Sequence, residues 1–224
     1  MAGLFLVNCF DVARSLGNQP ARATPASVQD FLLSEYLKKR GGGFNHDPAI
    51  VSTQHMFAGV MSVDDAECYC LTTGNPAGRE QNAEIVRVVG PYAFAHRSRC
   101  HKHGFLAVAV GRYRGRTIHV GLKAPFTRVC GSKAHVVLPG FRKSFLPTDE
   151  QIVLPCSLAA LQLARDDFKG ADVEYLYAGP GPIGQDRMLR VIHGSERKLL
   201  DADELDEVFA IYVAGVIRAL EAGY

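Results

Sequence analysis

Apolar residues recur every three or four positions near the end of the chain, which is the spacing of an amphipathic helix. They form a broad face made of Leu205, Val208, Phe209, Tyr212, Val213, Val216, Ile217 and Leu220. Acidic residues that can cap a helix stand immediately before this face, at positions 201, 203 and 204. The pattern predicts a C-terminal helix over residues 203–221 that closes the core.

Two other segments have helical patterns. Thr24-Pro25 is a cap followed by proline at the first helical position, and the apolar residues after it predict a helix over residues 25–40. A second apolar run predicts a helix over residues 157–168, with Cys156 at its start. With the C-terminal helix, the chain therefore has about three predicted helices.

Alternating or continuous apolar runs predict strands elsewhere, at residues 4–7, 49–71, 85–89, 105–110, 117–122, 134–138, 172–177 and 188–193. The runs on either side of residues 111–116 predict a β-hairpin with a long basic tip. We predict an α+β fold with a mainly antiparallel sheet, not necessarily single, and the three helices packed against it. One domain over residues 1–224 is preferred to a division near residue 148 into a basic β-rich part and an acidic α/β part.

Composition narrows the class of protein. The chain has 224 residues, of which 47% are hydrophobic and 21% charged, as expected of a soluble globular protein with a packed core. The first apolar run lacks the basic start of a signal peptide, and no run reaches the roughly 20 apolar residues of a membrane helix. Six scattered cysteines indicate reduced thiols in an intracellular, cytoplasmic protein.

Charge is unevenly distributed, although the formal net charge is only +2. Residues 85–148 contain no Asp or Glu, so this stretch repels itself unless acids elsewhere or an anionic partner compensate it. We expect it to bind nucleic acid or another polyanion by contact with phosphates, with an aromatic ring for stacking on a base. The expected contact residues are Arg97, Arg99, Lys102, Arg112, Tyr113, Arg114, Arg116, Lys123, Arg128, Lys133, Arg142 and Lys143.

Two other functions fit the same stretch. Arginines that converge on a cleft with His or Cys side chains would favour an enzyme acting on a small anionic or phosphorylated substrate, whereas a broad exposed stripe would favour nucleic-acid binding. In the enzyme, Cys156 is the candidate nucleophile and His193 or His135 the candidate base. A structural subunit whose basic face meets an acidic protein is the third alternative.

Two sets of side chains have metal-binding chemistry. Cys68, Cys70, Cys100, His101 and His103 offer ligands for Zn²⁺. Asp172 and Glu174 share one face of a predicted strand, and Glu196-x-Lys198 follows the next strand. This order resembles that of restriction-endonuclease-like folds, although the proline–aspartate half of that family's signature is missing. The resemblance implies a nuclease in which the carboxylates bind Mg²⁺ and Lys198 stabilises the charge on the scissile phosphate.

Overall fold

The computed structural model describes residues 2–37, 45–142, 146–181 and 186–223, which contain seven α-helices and eight β-strands. The helices are α1 (Cys9–Ser15), α2 (Pro25–Phe31), α3 (Asp47–Phe57), α4 (Val63–Thr72), α5 (Arg79–Ala95), α6 (Asp149–Leu163) and α7 (Ala202–Glu221). The strands are β1 (Leu6–Asn8), β2 (Arg99–Lys102), β3 (Leu106–Tyr113), β4 (Arg116–Leu122), β5 (Phe126–Cys130), β6 (Lys133–Gly140), β7 (Asp172–Pro180) and β8 (Arg187–His193).

The strands form two mixed sheets. One has three strands in the order β1-β4-β3, and the other has five in the order β2-β5-β6-β7-β8. Four of the six strand pairings in the described residues are antiparallel, while β1-β4 and β6-β7 are parallel. The predicted α+β fold with mainly antiparallel pairing is confirmed, with more helices than expected.

Both faces of the five-stranded sheet are covered, and each has its own apolar cluster. On one face α3, α4 and α5 pack through residues such as Phe57 and Val89 against Phe126 and Leu176. On the other face α1, α6, α7 and the three-stranded sheet enclose a cluster that includes Tyr175. Because both faces are apolar, a polar side chain in the middle of this sheet needs a partner within the protein.

The predicted C-terminal helix is confirmed as α7. Its residues Leu205, Phe209, Tyr212 and Val216 are at most 5% exposed. The side chain of Asp201 caps the first turn through a capping box. No described helix, α7 included, combines the length and the apolar character needed to cross a membrane.

The prediction of strands between residues 49 and 89 was wrong, because α3, α4 and most of α5 occupy this segment. In α4 the buried residues Ala66 and Cys70 are one helical turn apart, while Cys68 is exposed. The two thiols therefore do not share a face. Helix α5 continues through Gly90-Pro91, where a strand was expected to end. Short apolar runs fit both a helix and a strand. The runs in this segment follow the 3.6-residue period of a helix, not the two-residue period of a strand.

Two other predicted helices exist with different ends. Helix α2 begins after its cap Thr24, as predicted, but a π-helical turn replaces α-geometry after Phe31, and residues 38–40 lie outside the described residues. Helix α6 begins at Asp149, after a capping box at Thr148, and not at residue 157. Cys156 therefore lies in the middle of the helix rather than at its start.

Strands β3 and β4 form the predicted hairpin, but its tip is two residues long rather than six. Tyr113 pairs with Arg116, which leaves Arg114 and Gly115 as the turn, with φ angles of 46° and 76°. Positive φ at both positions is typical of a type I′ turn, whose twist matches that of the flanking strands.

Candidate functional site

Three of the predicted basic contact residues form ion pairs with acids of the same chain, of which that of Arg128 is buried and the other two are partly exposed. The pairs are Arg128 with Glu174, Arg142 with Asp11, and Lys123 with Asp47. All three acids lie outside residues 85–148. Acids before and after the acid-free stretch therefore compensate part of its charge.

Seven other predicted cations are exposed and make no ion pair within the described residues. Three surround the turn between β3 and β4 and are called the hairpin patch: Arg112, Arg114 and Arg116. Four lie on or beside β2 and at the start of β6 and are called the edge patch: Arg97, Arg99, Lys102 and Lys133. Lys143 is outside the described residues. The predicted basic stretch is thus divided into two patches and three internal ion pairs.

Two arginines of the hairpin patch lie over aromatic rings. The guanidinium carbon of Arg116 is 3.7 Å from the ring centroid of Phe5, and that of Arg114 is 5.1 Å from the ring centroid of Tyr113. Such cation–π contacts orient a guanidinium without neutralising it. Tyr113, predicted to stack on a base, is half-buried and already contacts Arg114.

A row of polar side chains crosses the five-stranded sheet on the face covered by α5. Arg128 on β5 lies opposite His135 on β6, and His135 lies opposite Asp172 on β7. His193 on β8 lies opposite Glu174, which is two residues after Asp172 on the same face of β7. Because residues opposite each other in a sheet point to the same side, four strands bring these five side chains together.

Four hydrogen bonds hold the carboxylate of Asp172. Its Oδ1 accepts the backbone N–H groups of Val173 and Ser195, at 2.8 and 2.9 Å. Its Oδ2 accepts the hydroxyl of Ser195 at 3.0 Å and lies 2.9 Å from Nδ1 of His193. Bonds to two backbone groups and one hydroxyl leave the carboxylate little freedom. Its orientation towards His193 is therefore fixed by the ends of β7 and β8.

His135 lies beside this carboxylate without a hydrogen bond. Its Nδ1 is 4.0 Å from Oδ2 of Asp172, is buried, and has no hydrogen-bond partner. The ring centroids of His135 and His193 are 5.6 Å apart. Burial lowers the pKa of His135, and the charge of Arg128 lowers it further. The imidazole is therefore uncharged at neutral pH.

Two residues of the row, Arg128 and Glu174, form a buried hydrogen-bond network with Tyr92. Glu174 is fully buried and accepts hydrogen bonds from Nε of Arg128 at 2.5 Å and from Nη2 at 3.0 Å. The hydroxyl of Tyr92 on α5 also donates to it. Burial raises the pKa of Tyr92, and the hydrogen bond to Glu174 raises it further. The bidentate pair cancels its own charge, so the network is a neutral support.

One ligand atom from each of His135, Asp172 and His193 lies within 4.8 Å of the other two. In the part of the chain that the structure describes, no other group of three or more His, Cys, Asp or Glu side chains is as close. The side chains are 14%, 21% and 29% exposed, respectively. The three side chains are therefore close together and partly accessible to solvent. We call them the His-Asp-His cluster.

The five residues predicted to bind zinc are not brought together. They are distributed over α4 (Cys68, Cys70), β2 (Cys100, His101) and the residue that follows β2 (His103). Nε2 of His103 is 2.7 Å from the hydroxyl of Thr127. The rings of His101 and His103 lie 5.4 and 5.6 Å from the ring of Phe168. These contacts are those of a packed sheet edge.

The four predicted nuclease residues do not form one site either. Asp172 and Glu174 share one face of β7, as predicted, but Glu174 is engaged in its buried ion pair. Lys198 is exposed and pairs with Glu204 at 3.0 Å. Glu196 is exposed on the short 3₁₀ turn after β8. Among the described residues, their carboxylates do not converge on one position.

Cys156 is not placed to react together with His193. The thiol is 1% exposed, inside the apolar cluster of α6. Burial raises its pKa to about 12, and the charge of Asp172 contributes in the same direction. His193 belongs to the opposite face of the sheet, since it lies across from Glu174 rather than from the core residue Tyr175. The thiol is therefore protonated and inaccessible.

Comparison of the chain with protein-family models, curated proteins and solved structures found no match. The cluster is therefore interpreted from its own chemistry. Asp172, His193 and His135 were candidates in the sequence, but not as one group, and Ser195 and Tyr92 were missed. The sequence contains one signal for this grouping: His135 and Asp172 each lie near the start of a strand. When two such strands are parallel neighbours, as β6 and β7 are, their starts meet at one end of the sheet.

Proposed function

We propose that the protein binds nucleic acid, or another phosphate-rich polyanion, through the hairpin patch and the edge patch. The supporting observation is that none of these seven exposed cations pairs with a carboxylate of the described residues. By contrast, Arg128, Arg142 and Lys123 each form an ion pair with an acid of the same chain. Cations that the fold leaves uncompensated attract phosphates, which supply most of the affinity of such complexes.

The turn of the hairpin gives further support. Type I′ turns favour Asn-Gly or Asp-Gly, because Asn and Asp tolerate positive φ better than other side chains. Here Arg114 occupies the first turn position with a φ of 46°. The exposed turn of the hairpin thus holds an arginine in a backbone conformation that favours Asn or Asp. A cation in that place is suited to contact with a phosphate backbone.

Contacts of this type carry little sequence information. Arginine and lysine side chains that meet phosphates fix the position of a protein on a strand, whereas base-edge contacts specify the sequence. We therefore expect weak sequence preference and strong salt dependence. All six cysteines are free thiols in the structure, which fits the reducing cytoplasm where we place this activity.

A salt titration tests the proposal. Binding of labelled DNA and RNA oligomers is measured by fluorescence anisotropy between about 50 and 200 mM salt. Affinity should fall steeply as salt rises. An Arg112→Ala/Arg114→Ala/Arg116→Ala variant should bind duplex DNA with a log–log slope that is shallower by up to about 2.7, from ~0.9 per lost phosphate contact. An Arg97→Ala/Arg99→Ala/Lys133→Ala variant measures the edge patch in the same way.

The matched control removes three exposed cations that belong to neither patch. Arg22→Ala/Lys198→Ala/Arg218→Ala changes the net charge by the same amount, so it should leave the slope unchanged. Equal losses in the control and in both patch variants would show that only net charge matters and would refute the assigned surfaces. Undetectable binding of every oligomer at low salt would refute the function itself.

A further inference from the structure

We propose that the His-Asp-His cluster binds a divalent transition-metal ion, with Zn²⁺ as its representative. The proposal rests on the geometry of three side chains, not on the exposed arginines, so it is independent of polyanion binding. It assigns to the end of the five-stranded sheet a site that local sequence patterns do not indicate.

The distances between the ligand atoms fit such an ion. Tetrahedral Zn²⁺ with bonds of about 2.0–2.2 Å places neighbouring ligand atoms about 3.4 Å apart. Oδ2 of Asp172 is 2.9 Å from Nδ1 of His193 and 4.0 Å from Nδ1 of His135. The two distances lie on either side of the ideal value, and one ligand atom of each residue is within 4.8 Å of the others. Small side-chain rotations would equalise them.

The unpartnered nitrogen of His135 points to a ligand. Nδ1 of His135 is buried and accepts or donates no hydrogen bond, while it faces a carboxylate oxygen 4.0 Å away. Buried polar atoms almost always have a partner, so an orphan in a concentrated donor cluster requires an explanation. A cation between Nδ1 and the carboxylate would bond to both atoms.

The local charge also favours a cation. The charge of Arg128 is neutralised by its bidentate pair with Glu174. The carboxylate of Asp172 is therefore the remaining negative charge, and it lies beside two imidazoles. If Oδ2 of Asp172 exchanges its hydrogen bond with His193 for a metal bond, it keeps the hydroxyl of Ser195. Oδ1 keeps both of its backbone N–H bonds. The carboxylate is thus already oriented for coordination, as metal ligands commonly are by surrounding hydrogen bonds.

The donor set selects the class of metal. Two imidazole nitrogens and one carboxylate suit Zn²⁺ and its first-row neighbours, whereas Mg²⁺ prefers an all-oxygen octahedral shell. Three protein ligands leave at least one coordination position open, as in catalytic rather than structural zinc sites. The partial exposure of His193 and Asp172 gives that position access to solvent.

The test measures metal binding by the full chain. Exposed thiols are first removed with Cys68→Ser and Cys130→Ser, because both side chains are accessible and thiolates are good ligands for Zn²⁺. The metal-free protein is titrated with Zn²⁺ against a chromophoric chelator, and with Mg²⁺ in parallel. We expect one Zn²⁺ per chain, no competition from Mg²⁺, and a Co²⁺ spectrum without a thiolate charge-transfer band.

Single variants locate the site. His135→Ala and His193→Ala should each weaken Zn²⁺ binding by at least about 100-fold, since changes in supporting residues alone typically cost 10- to 100-fold. His101→Ala is the matched control from the predicted zinc set and should leave binding unchanged. Circular dichroism checks that each variant is folded.

A measurement on the unsubstituted histidines covers the case in which a variant fails to fold. Nitrogen-15 NMR of the imidazoles should show two histidines whose Nδ1 resonances shift on addition of Zn²⁺, assignable to His135 and His193. Absence of stoichiometric Zn²⁺ binding would overturn the proposal. So would binding that persists in the two cluster variants, or shifts confined to other histidines. Loss of oligonucleotide binding bears only on the proposed function.

Discussion

The arginines of the hairpin patch and Arg128 come from the same acid-free stretch but have opposite environments. Arg128 is on β5, inside the five-stranded sheet, is 3% exposed, and is bound on its Nε and Nη2 by the fully buried Glu174. Arg112 and Arg114 are at the exposed end of the three-stranded sheet and meet no carboxylate of the described residues. Position in the sheet, not the local sequence, separates the two kinds of arginine.

A count of charges in the sequence does not show which arginines are buried and paired and which are exposed. A buried cation must be paired, because desolvation without a partner is costly, whereas an exposed cation needs no partner and is free to attract one. The arginine whose partner cannot be removed without leaving a buried charge and the arginines proposed to bind polyanions are thus distinct, although they are chemically alike. Removing each in turn should produce effects of very different size.

The largest effect is expected from Glu174→Gln. It keeps the shape of the side chain but leaves the buried charge of Arg128 uncompensated, which should lower the free energy of unfolding by about 3–5 kcal/mol. Urea denaturation followed by circular dichroism measures the change. The double variant Arg128→Met/Glu174→Leu should lose less than the sum of its two single variants, because no unpaired charge remains.

The same substitution at an exposed pair provides the control. Glu67 pairs with Arg87 at 2.7 Å, but the two side chains are 31% and 42% exposed, respectively. Glu67→Gln should therefore lower the free energy of unfolding far less than Glu174→Gln, because solvent screens the charge that remains on Arg87. Equal costs at Glu174 and Glu67 would mean that burial does not distinguish the two pairs.

An intermediate effect is expected from Arg142→Ala. The arginine is 45% exposed, but it donates two hydrogen bonds to Asp11, which is only 8% exposed. Removing it leaves a nearly buried carboxylate with Arg14 as its remaining charged partner, at 3.1 Å. We expect a loss of about 1–2 kcal/mol by urea denaturation. Arg190→Ala, at an arginine that pairs with no described acid, should have little effect; a loss as large as that of Arg142→Ala would contradict the assigned role of Asp11.

The elements that could be predicted from the sequence are those whose signals are local and complete. Helix α7 has both a capping box and an uninterrupted apolar face, and the hairpin of β3 and β4 has two apolar runs around a glycine-containing turn. Helices α4 and α5 lack such clarity. Their apolar runs are short, and α5 contains Gly90-Pro91, which is ordinarily a sign that an element ends.

The His-Asp-His cluster could be predicted only in part, for a different reason. Asp172 and Glu174 were correctly placed on one face, because alternation along a strand is a local property. Their contacts with His135 and Arg128 depend on the parallel pairing of β6 with β7, which is made through the connection from residue 141 to residue 171. Arg128 and Glu174 are 46 positions apart. No local pattern specifies which strands meet over such a separation.

The smallest effect, and one of opposite sign, is expected at the tip of the hairpin. Arg114→Asn places a residue that tolerates positive φ at a position with a φ of 46°, so it should raise the free energy of unfolding by up to about 1 kcal/mol. The matched variant Arg112→Asn removes the same charge from a β-strand, where Asn is unfavourable, and should lower it slightly. Oligonucleotide affinity should nevertheless fall to a similar extent in both. A gain in stability without a loss of binding in Arg114→Asn would indicate that this arginine has no role in contact with phosphate.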